Sequence, residues 1–313
     1  MSTTILVTGA TGLQGGATAR HLLARGLRVH ALVRTKQSAA AVDLQNRGAV
    51  LIEGNFDRPE QLKNACQEAT AVFLNVSPSF RGDGAELRQA TNVVRAARAS
   101  GTVTTLVYTS VCAVDQREQF PGWVDGSMSS VMKGYFESKA AIEELVRSAG
   151  FMHWTILRPP VFMTNYLLPS VRGYFPELAK SCTLRTAMPT GKRTMLIDPN
   201  DIGRLAAAVL AAPTQFSHRA LDIGGEALKT EEIAEAISEI SGREIAIDQI
   251  PRDLAEGLAV SSPQVDAQLW FWQLQDKFEP RELEAEFGIN LTTFKGFLAA
   301  NRELARQTFD QAD

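Results

Sequence analysis

The chain has 313 residues, 45% apolar and 21% charged, with a formal net charge of -3. That length suits one large domain or two adjoining ones with proper cores. The slight negative charge, with no basic run beyond pairs such as Lys192-Arg193, argues against a nucleic-acid or anionic-membrane surface.

Cys66, Cys112 and Cys182 stand far apart, and His21, His30, His153 and His218 lack ligand spacing, so neither a disulfide scaffold nor a metal centre is expected. No apolar run approaches the ~20 residues of a membrane span. The N-terminus runs into a strand with no charged leader before an apolar segment, so a cytoplasmic protein is expected.

Ile5-Leu6-Val7 reads as a strand and Gln14 to Arg25 as a helix, with Gly9, Gly12 and Gly15 spaced G-x-x-G-x-x-G between them. A strand turning through glycines into a helix N-terminus makes an anion site: amides point outward, the helix dipole favours negative charge, and bare backbone admits a pyrophosphate. Gly9 is expected to make the turn, Gly12 to lie under the phosphates and Gly15 to let the helix pack on the sheet. Thr11 and Leu13 flank Gly12 in this turn and complete this candidate dinucleotide site.

Arg28 to Val33 is a second strand, followed by Arg34 and Lys36, with no acid before Asp43. An acid at this strand end would accept the 2′-hydroxyl of NAD, whereas an arginine accommodates the 2′-phosphate of NADP. NADP(H) is therefore the expected cofactor. Val50 to Glu53 is a third strand. The connection that follows makes Asn55 and Phe56 candidates for adenine contacts, beside the plainer reading of Asp57 as the cap of a helix from Pro59 and Phe56 as core.

Ala71 to Val76 is a fourth strand leading to Ser77, then a helix from Gly84 to Ser100 and a fifth strand, Thr104 to Tyr108. Strict strand–helix alternation predicts a parallel, doubly wound α/β sheet. Ligands bind outside the carboxyl ends of such strands, so Gly9–Gly15, Arg34, Asn75, Val76, Ser77, Thr109 and Ser110 fall on one rim. Residues 112–132, with Pro121, Gly122, Gly126 and a Ser/Met cluster, read as a long loop, of a kind that is usually functional or disordered.

A helix from Gly134 to Ser148 carries Tyr135 and Lys139, i and i+4 on one face. A cation beside a phenol favours phenolate, which suits the tyrosine to trade a proton with a carbonyl near neutral pH. The plainer reading is Tyr135 packed on the sheet and Lys139 alone at the cofactor.

Trp154 to Leu157 is a sixth strand ending in Arg158-Pro159-Pro160, and Val161 to Leu168 reads as the start of a helix. There follow a strand Arg193–Ile197, a helix Asp201–Ala211 capped by Asn200, a strand from Leu221, a helix Thr230–Ser241 and a strand Glu244–Ile250. Helices near Val265–Lys277, Pro280–Phe287 and Thr292–Arg306 close the chain, the first holding Trp270, Phe271 and Trp272. Trp123, Met163, Tyr166 and Trp270 are the candidates to line an apolar substrate pocket, each more readily read as plain packing.

TGATGLQGG (8–16), Arg34 after ALV, Lys139 in YFESK, LRPPVFMTN (157–165) and LTTFKGFL (291–298) together make the chain resemble the NmrA-like group of atypical short-chain dehydrogenases/reductases over essentially its whole length. The resemblance implies a Rossmann-type domain, 1–158 with 196–224 returning to it, and a smaller, mainly C-terminal α/β substrate domain, 159–195 and 225–313. It implies NADP(H), with contacts from Gln14, Lys139, Pro159 and Phe162.

Two functions stay open under that resemblance. One is an NADPH-dependent reductase of a small hydrophobic or aromatic carbonyl, quinone, imine or azo-type acceptor, with Tyr135 as acid, Lys139 as its tuner and Ser110 or Thr109 bonding the substrate oxygen. The other is a non-catalytic NADP(H)-sensing regulator. Tyr135 favours the enzyme; Val111, where the hydroxyl of the catalytic set is expected, counts against it. A homo-oligomer is left open.

Overall fold

The computed structural model describes residues 3–271 and 279–310. β1 (Thr4–Val7) leads through the glycine turn into α1 (Leu13–Ala24). Then come β2 (Arg28–Val33), α2 (Ala39–Asn46), β3 (Val50–Glu53), α3 (Pro59–Cys66), β4 (Ala71–Leu74), α4 (Ala85–Ala99) and β5 (Thr105–Thr109). The expected loop at 112–132 is instead largely ordered: a 3-10 helix (Val114–Gln119), a helical turn α5 (Pro121–Val124) and the first turn of α6 (Ser130–Ser148). Phe120 and Met128 are buried there, and such apolar anchors hold a segment that Pro and Gly alone would leave irregular.

β6 (His153–Arg158) completes the run, and the predicted helix at 161–168 proves to be a two-residue strand, β7 (Val161–Phe162), and a 3-10 turn (Met163–Tyr166). β7 pairs with residues 196–197, a partner that no local periodicity announces. Two short helices follow, α7 (Val171–Tyr174) and α8 (Pro176–Ser181), then β8 (Thr183–Thr186) and β9 (Arg193–Ile197). α9 (Pro199–Ala211) and β10 (Arg219–Asp222) come next. The remainder is β11 (Glu226–Lys229), α10 (Thr230–Ser241), β12 (Ala246–Gln249) and helices α11 (Arg252–Ala259), α12 (Pro263–Phe271), α13 (Pro280–Phe287), α14 (Phe294–Ala300) and α15 (Arg302–Phe309). The expected helix 292–306 is therefore two, broken at Asn301. The end of the expected helix Val265–Lys277, with Trp272, lies outside the described residues.

Two compact units emerge: Met1–Val114, Gly134–Arg158 and Pro199–Asp222 form one, and Asp115–Lys133, Pro159–Asp198 and Ile223–Asp313 the other. The first is built on a seven-stranded parallel sheet ordered β10-β6-β5-β4-β1-β2-β3, the doubly wound sheet that the alternation predicts. On one face Leu62 of α3, Ala90 and Val94 of α4, and Ile142 and Val146 of α6 pack on Leu6, Val72, Leu106 and Tyr108. On the other, α9 lies so close to α1 that a Cβ on Gly203 would fall 2.5 Å from Ala17. Asn200 does not cap α9 but lies inside it, its Oδ1 2.9 Å from His21 Nε2.

The second unit has a three-stranded sheet, β11-β9-β7, and the parallel pair β12-β8. Its core gathers Met163, Tyr166, Leu178, Leu196, Ile237, Phe294 and Phe309.

Candidate functional site

The first turn is shaped by what glycine lacks. Gly9 sits at φ +60, where L side chains are strained. A Cβ on Gly15 would lie 2.3 Å from the Gly9 carbonyl oxygen, and one on Gly12 would lie 3.2 Å from the same atom. The Gly12 amide donates to the Gly9 carbonyl (2.9 Å), and Gly12 precedes α1 in extended conformation. Thr11, Gly12 and Leu13 are exposed, Leu13 at 52%, while Gly15 is buried.

Thr8 ties this turn to the end of β4: its hydroxyl donates to the Phe73 and Asn75 carbonyls and accepts from the Asn75 amide at 2.8 Å. Asn75 therefore stands directly beside Gly9. Register places the other strand ends on the same rim, because Val7 aligns with Ala31 and Phe73, and Leu74 with Tyr108. Arg34 and Lys36 are exposed at the end of β2, and Asp43, the first acid beyond them, is held by Arg47 at 3.0 Å. Asn55 is exposed at the end of β3; its Oδ1 accepts from the Asp57 amide and its own amide donates to Gln61. Asp57 is not the cap of α3: Arg88 and Gln89 of α4 hold its carboxylate. Phe56 packs on the core, Val76 is buried and Ser77 is exposed.

At the end of β5 the side-chain oxygens of Tyr108, Thr109 and Ser110 are all buried; the Tyr108 phenol and the Ser110 hydroxyl face each other, while Thr109 Oγ1 and, on α1, Gln14 Oε1 find no hydrogen-bond partner among the described residues. Native interiors satisfy nearly all such atoms, so these exceptions single out the end of β5 and the start of α1 as a candidate ligand site. Burial first, and then the Glu86 carboxylate, push the Tyr108 phenol well above its ordinary range.

On α6, Tyr135 is half-buried, stacked on Phe80 at 5.7 Å and edge-on to Phe136. Lys139 is 5% exposed and its Nζ lies 2.7 Å from Glu86 Oε1, while the Ser138 hydroxyl donates to the other oxygen at 2.9 Å. The same ammonium lies 5.7 Å from the ring centre of Tyr108 and 5.8 Å from that of Tyr135. One turn on, buried Glu143 takes Arg158 through both oxygens (2.9 and 2.7 Å) and Arg147 at 2.6 Å.

Glu86, Tyr108, Ser138 and Glu143 are not among the residues the sequence reading singled out. A signal existed for one of them. Glu86 occupies the apolar stripe of α4, in step with Ala90, Val94 and Ala97, and Lys139 occupies that of α6, in step with Ile142 and Val146. Opposite charges on the core faces of two helices invite pairing.

The remaining candidates fall in the second unit. Pro159 is buried, Phe162 half-buried and Met163 wholly in the core. Tyr166 lines a cavity of about 50 Å³ with Val161, Phe175, Leu184, Met188 and Gln268; burial raises its phenol pKa. Trp123 is half-buried beneath Arg117 and Lys133. Trp270 belongs to α12, and its side chain lies outside the described residues.

The sequence profile of the NmrA-like family matches residues 1–297. The chain belongs to the NmrA-like family. Among its relatives, the NAD(P)H azoreductase of Xenophilus azovorans is 28% identical over 242 residues, 77% of this chain and 75% of that protein. An NmrA-like family domain-containing oxidoreductase, himF of Aspergillus japonicus, is 25% identical over 272 residues, 83% and 76% of the two chains. In fold, the chain superposes with a TM-score of 0.72 on the triphenylmethane reductase of Citrobacter sp. complexed with NADP(H), at 20% identity, covering 95% of this chain and 99% of that one. The score is also 0.72 against NmrA, a negative transcriptional regulator in complex with NAD, at 16% identity over 99% and 96%.

Proposed function

We propose that this NmrA-like chain is an NAD(P)H-dependent reductase, preferring NADP(H), that acts on a small hydrophobic or aromatic carbonyl, quinone, imine or azo-type acceptor. The observation that carries the reading is the pair of unsatisfied buried oxygens on Gln14 and Thr109, beside the buried Ser110 hydroxyl, at the carboxyl ends of the strands whose first turn is stripped of side chains. The named activities of its oxidoreductase relatives support the same class.

The residues present fit a dinucleotide. Gly9, Gly12 and Gly15 would offer amides and clearance to the pyrophosphate, and Arg34 would meet a 2′-phosphate. When bound, the nicotinamide supplies the hydride. Tyr135 gives a proton to the acceptor atom that gains negative charge, Lys139 holds positive charge beside that phenol, and Ser110 or Thr109 donates a hydrogen bond to the same atom. The test is NADPH oxidation, followed by absorbance, against a panel of aldehydes, ketones, quinones and azo compounds. Turnover with at least one acceptor is expected; tight NADPH binding with no turnover on any of them would contradict the reading.

A second reading, a regulator that binds NADP(H) without turning it over, is favoured by one feature. The Lys139 ammonium is already engaged by Glu86, and the Tyr135 ring is stacked on Phe80. The same panel separates the two.

A further inference from the structure

Glu86 is an acid that α4 carries into the core. It is 3% exposed; its Oε2 accepts a hydrogen bond from the Ser138 hydroxyl, and its Oε1 lies 2.7 Å from Lys139 Nζ as an ion pair without hydrogen-bond alignment, Ser138 and Lys139 being adjacent in α6. Burying a carboxylate is costly unless it is paired and hydrogen-bonded, so this arrangement stands only as a closed set. Its consequence is positional. A lysine side chain has four rotatable carbon–carbon bonds and would otherwise sweep a wide volume; here its Nζ is held nearly equidistant from the Tyr108 and Tyr135 rings. Tyr108 opens the run Tyr108-Thr109-Ser110 at the end of β5, whose side-chain oxygens are all buried, and Tyr135 faces the same ammonium from α6.

We propose that Glu86 is a positioning residue: with Ser138 as its clamp, it fixes the Lys139 ammonium between Tyr108 and Tyr135 and thereby sets the geometry in which Lys139 serves the dinucleotide site. The inference rests on the reductase reading for the identity of the ligand, but not for the positioning itself. Ser138 matters because it occupies the second oxygen, which keeps the carboxylate from turning away from Lys139.

Two measurements on the full chain test this. In the first, surface amines are modified by brief reductive methylation and Lys139 is followed by mass spectrometry. Lys139 should be protected in the unaltered protein and modified at least ~10-fold faster in Glu86→Gln. In the second, NADPH affinity is measured by calorimetry for E86Q, K139M and the double variant. Each single change should weaken binding about 10-fold, with the double variant no weaker than K139M alone, because Glu86 acts only through Lys139. Additive losses in the cycle, or equal protection of Lys139 in E86Q, would overturn the proposal.

Should E86Q fail to fold, Ser138→Ala carries both arms, with a two- to threefold effect expected in each and the same two contrary outcomes. If the unaltered protein takes up no NADPH, the reductase reading falls while the methylation arm still decides the positioning.

Discussion

Lys139 and Glu143, i and i+4 on α6, would pair with each other on an isolated helix, yet each is engaged elsewhere. Glu143 accepts two hydrogen bonds from the planar guanidinium of Arg158 and a third contact from Arg147. Lys139 meets Glu86 as a point charge, with one close oxygen and two aromatic rings around it. A bidentate fork satisfies geometry and charge together, whereas a lone ammonium keeps donors to spare. The first arrangement locks β6 to α6; the second leaves a cation able to serve something else. One turn of helix thus separates a fastening from a candidate tool.

Breaking the fastening should cost most. Glu143→Gln removes the negative charge from a buried, bidentate pair with Arg158, and urea unfolding should show a loss of about 3–5 kcal/mol, the range for a disrupted buried pair. A loss below about 1 kcal/mol would erase the distinction drawn here. The other end of α6 should behave oppositely. Tyr135→Phe is expected to lower kcat about 100-fold, the size of a lost general acid, with unfolding stability nearly unchanged. Full activity would remove Tyr135 from the chemistry and leave it a packing role among Phe80 and Phe136.

How much of this could be read from the chain alone depends on how local the cause is. The glycine turn, the strand ends and the strand–helix alternation are local, and β1 to β5 fall within one or two residues of their expected limits. The failures have non-local causes. Asp57 has the sequence context of a cap, but Arg88 and Gln89, some thirty residues on, take its carboxylate. Val161 and Phe162 form a strand only because Leu196 and Ile197 are beside them. The site divides the same way. Tyr135 and Lys139 stand out by spacing, while Glu86 emerges only once α4 and α6 are seen to share a face of the sheet. Pairing between helices leaves no trace in either helix beyond a charge on the wrong stripe.

Two smaller effects sharpen the contrast between site and scaffold. Arg34 is exposed and unneeded for packing, so Arg34→Ala should reduce the preference for NADPH over NADH about 10-fold, roughly 1.4 kcal/mol, without moving Tm. An unchanged ratio of the two affinities would place cofactor choice elsewhere. The least effect belongs to the histidines. Burial holds His21 and His30 below their usual pKa, against the opposing pull of Asn200 and Glu68. The unfolded imidazoles therefore take protons first on acidification. Stability should be complete above about pH 6.5 and decline below it, by about 1–2 °C in Tm at pH 5.5, less after His21→Gln. A Tm that rises over this interval would contradict the sign.

The account as a whole depends on a dinucleotide being held by bare main chain where β1 enters α1. Calorimetric titration of NADPH into the unaltered chain and into Gly15→Ala puts that to the most direct test, since the added methyl would fall against the Gly9 carbonyl. Saturable one-to-one uptake by the first, with at least a ~10-fold weaker response from a folded Gly15→Ala, is the predicted result. No uptake by the unaltered chain, or equal uptake by both, would contradict it.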